Sequence, residues 1–223
     1  QELITKAHWI KNKKTVLATI TKKIKAPFII KPPDDGCSVM VDRANNEKEL
    51  SEKINLIFSK DKATVLVEEF VQGMELTVGI IGNETPTALP PSQAIAVGGI
   101  LSIEEKFMPG AGENQTPAPL PAQALKLVQR TMEQVYKAVG CMGYARIDCF
   151  YQTAEQSPTG KERVITLEIN SLPGLTPATC IFHQAAEIGL KPMEFIDRIV
   201  QLGFEAHRNE AATHGTLSVK QKA

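Results

Sequence analysis

Short apolar strands that follow one another as hairpins, with helices between them, predict an α+β fold built on antiparallel sheets. Three observations carry this. Strand-like runs of alternating character recur at 64–71 (TVLVEEFV), 74–83 (MELTVGIIGN), 144–151 (YARIDCFY) and 163–170 (RVITLEIN). The last two are joined by a polar linker that reads as a hairpin loop. Two segments, 45–61 and 120–140, instead place apolar residues at helical spacing.

The elements follow in order. Residues 1–25 are rich in lysine and fit one or two helices. APFIIKP (26–32) is a short strand, and PDDGCS (33–38) has loop chemistry with Asp-Asp-Gly at its centre. SVMVDR (38–43) resumes a strand, so the two segments form a hairpin. In 45–61, Leu50, Ile54 and Ile57 share a helix face, and Asn45 or Asn46 caps it. ALPPSQAIAVGG (88–99) reads as an edge or bulged strand because of its prolines. SIEEKFMPGAGENQTPAP (102–119) reads as a long loop of the kind that carries function. In 120–140, Leu125, Val128, Met132 and Val135 line one helix face, and Gly140 ends it. Helices are expected at 177–189 and 192–206, followed by a polar tail over 207–223.

Composition excludes several classes. Lys+Arg and Asp+Glu both number 25, so the 223-residue chain carries no net charge and no basic nucleic-acid footprint. Cys37, Cys141, Cys149 and Cys180 show no C-x-x-C spacing and read as reduced thiols. The four histidines are scattered, which argues against zinc. No apolar run approaches the ~20 residues that span a bilayer. The chain opens at Gln1 without a signal peptide, and a piece of a longer, cytoplasmic protein is expected.

Chemistry concentrates in VITLEINSLPG (164–174). Alternation puts Glu168 and Asn170 on one face, with Leu167 and Ile169 opposite. Arg146 and Asp148 share a face on the neighbouring strand. Paired, these strands would gather one arginine, two carboxylates and one amide. Such oxygen donors suit Mg²⁺ completed by phosphate and water, and the arginine suits a phosphate or an oxyanion. The plain alternative is a solvated ion pair. Lys31, at a strand end before a glycine-bearing turn, is either a phosphate ligand or a surface lysine. In VLVEEFVQGME (65–75), Glu68 and Glu69 face opposite ways, and Glu75 follows. One of the glutamates could accept from an adenine amine and Glu75 from ribose, or all three could simply be solvated. The loop has no GK[ST], so it is not a Walker P-loop.

PFIIKPPDDGCSVMV, VLVEEFVQGMELTVGIIGN, EEKFMPG, GYARIDCF and LEINSLPGLTP occur in order. Together they resemble the D-alanine–D-alanine ligases of the ATP-grasp superfamily, over roughly residues 15–205. The resemblance implies two α+β subdomains clamping a nucleotide: 1–72 as the small subdomain and 73–209 as the C-terminal one, with 210–223 a flexible tail. The family's N-terminal domain is absent from this chain and becomes an expected partner. So does a second copy, because the family is commonly dimeric.

The resemblance also implies site roles. Lys31 and the loop Gly36, Cys37 and Ser38 contact ATP phosphates. Glu68 and the stretch Glu69, Phe70 and Val71 hold adenine, and Glu75 holds ribose. Lys106 reaches the terminal phosphate. Asp148, Glu168 and Asn170 bind two Mg²⁺ ions, for which Mn²⁺ can substitute. Arg146 and the Gly174 N–H stabilise a tetrahedral oxyanion, while Thr179 and Cys180 face the acceptor. The implied reaction joins two D-alanines through D-alanyl phosphate, for peptidoglycan precursors.

This sequence departs from the family pattern at two further places. Phe107 stands where the family usually has tyrosine, and Cys37 where it has serine. That pair opens a D-lactate-accepting, depsipeptide-forming alternative. Another ATP-grasp carboxylate–amine ligase, or a non-catalytic nucleotide-binding module of a fusion, also stays open.

Overall fold

The computed structural model describes residues 1–35, 39–95, 113–176 and 179–220, with the side chains of 94, 95, 113, 114 and 209–220 excepted. The loop residues Gly36, Cys37 and Ser38, and the long-loop residues Lys106 and Phe107, lie outside the described residues. The chain divides into two compact units, Gln1–Val71 and a second containing Gln72–Ile95 with the described residues from 113 onward. Both are α+β with antiparallel sheets, as expected.

Unit 1 holds a four-stranded sheet in the order β1 (Glu2–Thr5), β4 (Thr64–Glu69), β2 (Phe28–Lys31), β3 (Asp42–Ala44). Helices α1 (Lys6–Lys23) and α2 (Glu47–Ser59) contribute to its core. Phe28 and Ile30 of β2 and Val65 and Val67 of β4 are buried with Ile20, Leu50 and Ile54 of the helices. Alternation therefore turns Ile29, Lys31, Leu66 and Glu68 to the other sheet face. The opening strand β1 was not anticipated. ELIT is too short to betray itself, and it is fixed by pairing with Val67–Thr64 of β4. The following segment is one helix with a non-helical Asn12 inside it. Asn46 is the cap of α2: its side chain accepts from Glu49 N at 2.9 Å, while Glu49 Oε2 accepts from Asn45 N at 2.9 Å. This is a reciprocal cap in the manner of a capping box. The second hairpin strand starts at Asp42 rather than 38.

Unit 2 holds the sheet β10 (Arg163–Asn170), β9 (Tyr144–Gln152), β5 (Met74–Ile81), β7 (Ser92–Ile95), β8 (Glu113–Gln115), with β6 (Thr87–Ala88) also on β5. The expected single strand at 88–99 is thus split. Pro90 and Pro91 lack the N–H groups a ladder needs. Within the expected 102–119 loop, residues 113–115 form β8 and pair with β7.

The sheet is covered on both faces. Helix α3 (Ala122–Ala138) packs Ala124, Val128, Met132 and Tyr136 against Leu76, Val78, Ile80 and Ile147. Leu125 and Val135 sit at the margin of that stripe. On the other face, Ile181 and Ala185 of α4 (Cys180–Glu187) and Phe195 and Leu202 of α5 (Pro192–Lys220) pack with Ile81 and Leu89. Double coverage explains why β5 is buried at every position from Leu76 to Ile81. Helix α5 continues to Lys220, past the tail expected from 207, where no proline intervenes and Ala211-Ala212 favours helix.

Tyr136 is fully buried, and its hydroxyl donates to Gly82 O at 2.8 Å. Tyr136→Phe leaves that carbonyl without its partner. It is expected to cost about 1 kcal/mol, read as a shift in urea midpoint with unchanged slope.

Candidate active site

The register of three adjacent strands builds the site in unit 2. Thr77 of β5 pairs with Asp148 of β9, which pairs with Glu168 of β10. One step along, Gly79, Arg146 and Asn170 form a second row. Directly opposed residues share a face, so both rows face the α4 side, away from α3. The strands converge as the sequence implied, with one difference. The register shifts between Thr166 and Glu168, leaving Leu167 without a cross-strand partner. This bulge changes the alternation. Val164 packs against the α3 core although its number has the same parity as Glu168. Leu167 is therefore not simply the opposite-facing neighbour that alternation suggested; it is the extra residue that lets both ends of β10 face correctly.

Arg146 is at the centre. Its Nε donates to Asp148 Oδ1 at 3.0 Å and its Nη2 to Oδ2 at 2.9 Å, a bidentate fork. The same Nη2 lies 3.7 Å from Glu168 Oε1. Asn170 Nδ2 donates to that oxygen at 3.2 Å. Thr77 Oγ1 donates to Asp148 Oδ1 at 2.6 Å. Burial works to lower the Arg146 pKa, but the Asp148 carboxylate outweighs it, and the guanidinium is held above its ordinary range. Burial likewise pushes the Cys180 thiol up, partly offset by Arg146, so the thiol stays protonated beside the site.

The other predicted residues fall as follows. Glu75 lies on β5 two residues before Thr77, on the same strand face. Gly174 follows buried Pro173, and a Cβ there would meet only Thr179 Cγ2, at 3.9 Å. Thr179 precedes α4, its hydroxyl donating to Thr176 O at 2.7 Å, and Cys180 is the first residue of the helix. In unit 1, Lys31 Nζ and Glu68 Oε2 lie 2.6 Å apart on the sheet face turned from the helices. Phe70 N donates to Pro27 O at 3.3 Å, and the Arg43 guanidinium stacks on the Phe70 ring at 4.3 Å. Glu69 is exposed and Val71 half-buried.

Sequence reasoning missed Thr77 and Gln184. Gln184 is fully buried. Its Oε1 accepts from Gly79 N at 2.7 Å, and its Nε2 donates to Thr77 O and Ser92 Oγ, each at 2.8 Å. The signal for Thr77 was available. In MELTVGII, Glu75, Thr77 and Gly79 interrupt the apolar run at every second position, on the face of Asp148. Gln184 gave no comparable signal.

Two carboxylates, an amide and a neighbouring arginine form a donor set for a hard cation shared with phosphate. Among the described residues no group of three or more His, Cys, Asp or Glu could hold a metal by itself. Two carboxylates and one amide supply part of the shell of an ion such as Mg²⁺, which commonly keeps phosphate oxygens and water as its other ligands.

The fold is that of the ATP-grasp D-Ala ligases, and the chain belongs to the family described as D-ala D-ala ligase C-terminus, which matches residues 2–201. A D-alanine–D-alanine ligase from Carboxydothermus hydrogenoformans is 31% identical over 201 residues, covering 88% of this chain and 61% of that protein. The VanG D-Ala:D-Ser ligase structure from Enterococcus faecalis is similar with a TM-score of 0.74 at 25% identity, covering 90% of this chain and 55% of that one. A D-alanine–D-alanine ligase structure from Bacillus anthracis, complexed with ATP, gives a TM-score of 0.70 at 21% identity, covering 94% and 61%. The chain thus spans a little over half the length of these relatives. No helix among the described residues is long and apolar enough to cross a membrane.

Proposed function

We propose that this chain is the ATP- and metal-binding part of a D-alanine–D-alanine ligase, acting in the cytoplasm on peptidoglycan precursors. The observation that carries the reading is the pair of polar rows, Thr77–Asp148–Glu168 and Gly79–Arg146–Asn170, on one face of a family member's sheet. In this reading a D-alanine carboxylate oxygen attacks the γ-phosphorus of ATP. The bond to the β-phosphate oxygen breaks, giving D-alanyl phosphate and ADP. The amine of a second D-alanine then attacks the acyl carbon, the acyl–oxygen bond breaks, and phosphate leaves with a proton lost from nitrogen.

Asp148, Glu168 and Asn170 would hold Mg²⁺, with Mn²⁺ as a substitute. When bound, the ion neutralises phosphate charge and orients the transferred group. Arg146 supplies a permanent positive charge for the oxyanion that forms on the acyl carbon, and the Gly174 N–H a second donor. Lys31 binds phosphate oxygens and exchanges Glu68 for them. Glu68 to Val71 take adenine, and Glu75 the ribose hydroxyls. Thr179 and Cys180 stand at the acceptor end. The roles of Gly36, Cys37 and Ser38 toward phosphate, and of Lys106 and Phe107 as lid residues, rest on the family resemblance alone.

The test is product analysis. The complete protein is given ATP, Mg²⁺ and equal D-alanine, D-serine and D-lactate, and the products are resolved by mass spectrometry. D-alanyl-D-alanine is the expected main product. An ester alone, a D-serine dipeptide alone, or nucleotide binding without ADP release would overturn the reading.

A further inference from the structure

We propose that Thr77 is a positioning residue, its hydroxyl setting the Asp148 carboxylate for a divalent cation, with Gln184 holding Thr77 in the place where it does so. The inference rests on the metal-site reading above but concerns residues that reading does not use. Asp148 is held by two donors of different kind. The Arg146 fork takes both oxygens, yet Arg146 also reaches toward Glu168, at 3.7 Å, and is needed for the reacting oxyanion. The fork uses two of the five guanidinium N–H donors, so the others can serve a substrate, but its positive charge opposes a cation on the same carboxylate. Thr77 is a neutral donor, although its side chain also meets the Cys180 thiol. Of the two Asp148 oxygens its hydroxyl binds Oδ1, at 2.6 Å, which leaves Oδ2 as the oxygen that becomes free when Arg146 turns away. A neutral donor can stay on Oδ1 while a cation sits on Oδ2, whereas a guanidinium there would repel it.

The hydroxyl is not free to wander. Thr77 is 8% exposed, and a β-branched side chain has restricted χ1. The backbone beneath it is fixed from α4. Gln184 uses both amide hydrogens, on Thr77 O and Ser92 Oγ, and its oxygen takes Gly79 N. Ser92 Oγ in turn lies 2.6 Å from Thr116 Oγ1. Among the described residues the β5–β7 ladder pairs Leu76 with Gln93 and Thr77 with Ser92, β6 pairs with Ile80 and Ile81, and this network satisfies Thr77 O and Gly79 N between the two. Room for the carboxamide exists only because residue 79 is glycine, since a Cβ there would fall 2.7 Å from Gln184 Oε1. Helix α4 begins at Cys180, so Gln184 also ties the proposed acceptor end to the strand that positions Asp148.

The test is Mn²⁺ affinity, read by loss of the free-ion EPR signal in the complete protein with the methylene analogue of ATP. Thr77→Val keeps the shape and removes the donor. It is expected to weaken Mn²⁺ binding about tenfold, with Thr77→Ser within about twofold of the parent, as for other groups that orient metal ligands. Thr77→Ala is measured alongside, with circular dichroism, so that misfolding of one variant does not decide the matter. If Thr77→Val and Thr77→Ala bind Mn²⁺ like the parent while Asp148→Asn does not, the Thr77 proposal is wrong and the metal site stands. If Thr77→Ser fails to restore affinity, the hydroxyl is not the agent and the proposal is equally wrong. If Asp148→Asn also binds normally, the metal-site reading itself falls.

Discussion

Glu168→Gln is expected to lower ligase turnover by at least ~100-fold, because even groups that merely support a metal ligand are worth 10–100-fold and Glu168 is proposed as a ligand itself. The substitution changes one oxygen to nitrogen and keeps the shape. Glu168 is exposed, so little folding energy is at stake. It loses the negative charge that attracts a cation. Arg146, whose Nη2 lies 3.7 Å away, loses an opposite charge, while the amide oxygen can still accept from Asn170 Nδ2. Steady-state ADP release measures the effect, with thermal unfolding as the check that the fold is unchanged. Cys37→Ala, in the proposed phosphate loop, is the comparison and is expected to cost far less. Equal losses in the two would mean that the chemistry is elsewhere.

Gly79→Ala is expected to destabilise unit 2 by about 2–3 kcal/mol, through overpacking and the loss of buried hydrogen bonds. The added carbon would lie 2.7 Å from Gln184 Oε1, 2.8 Å from Ile181 Cγ1 and 3.0 Å from Leu89 Cδ1. None of these can yield cheaply, since Gln184, Ile181 and Leu89 are all in the core. At this chain length the loss corresponds to roughly 5–10 °C in Tm. Gly203→Ala supplies the contrast. Gly203 lies within α5, and a Cβ there meets nothing within 4 Å. The same change should therefore stabilise, by about 0.5–1 kcal/mol. Differential scanning calorimetry of the two variants reads opposite signs. A fall in both would show that glycine at 79 has no special part.

The convergence of residues 146, 148, 168 and 170 was legible because strand alternation is a local rule and two hairpin strands were plain. The bulge at Leu167 was not, because a one-residue insertion leaves no mark in an alternating run such as RVITLEIN. The opening strand β1 was hidden for a related reason. Four residues, of which only Ile4 is buried, become a strand through pairing with β4, sixty residues away. Thr77 could have been found from the odd-numbered polar positions of β5. Gln184 could not, since one amide between Ile181 and Ala185 on an apolar helix face reads as noise until Gly79 is seen beneath it. Lys31 and Glu68 were each weak alone. Only the antiparallel register of β2 and β4 brings them to 2.6 Å.

The most direct test of the metal-site account is a crystal structure of the complete protein with Mn²⁺ and the methylene analogue of ATP, phased for anomalous scattering. The account predicts anomalous peaks about 2 Å from carboxylate oxygens of Asp148 and Glu168, bridged to the phosphates. It also predicts that Arg146 has released at least one oxygen of Asp148. Manganese bound to the phosphates but away from both carboxylates, with the Arg146–Asp148 fork intact, would contradict it.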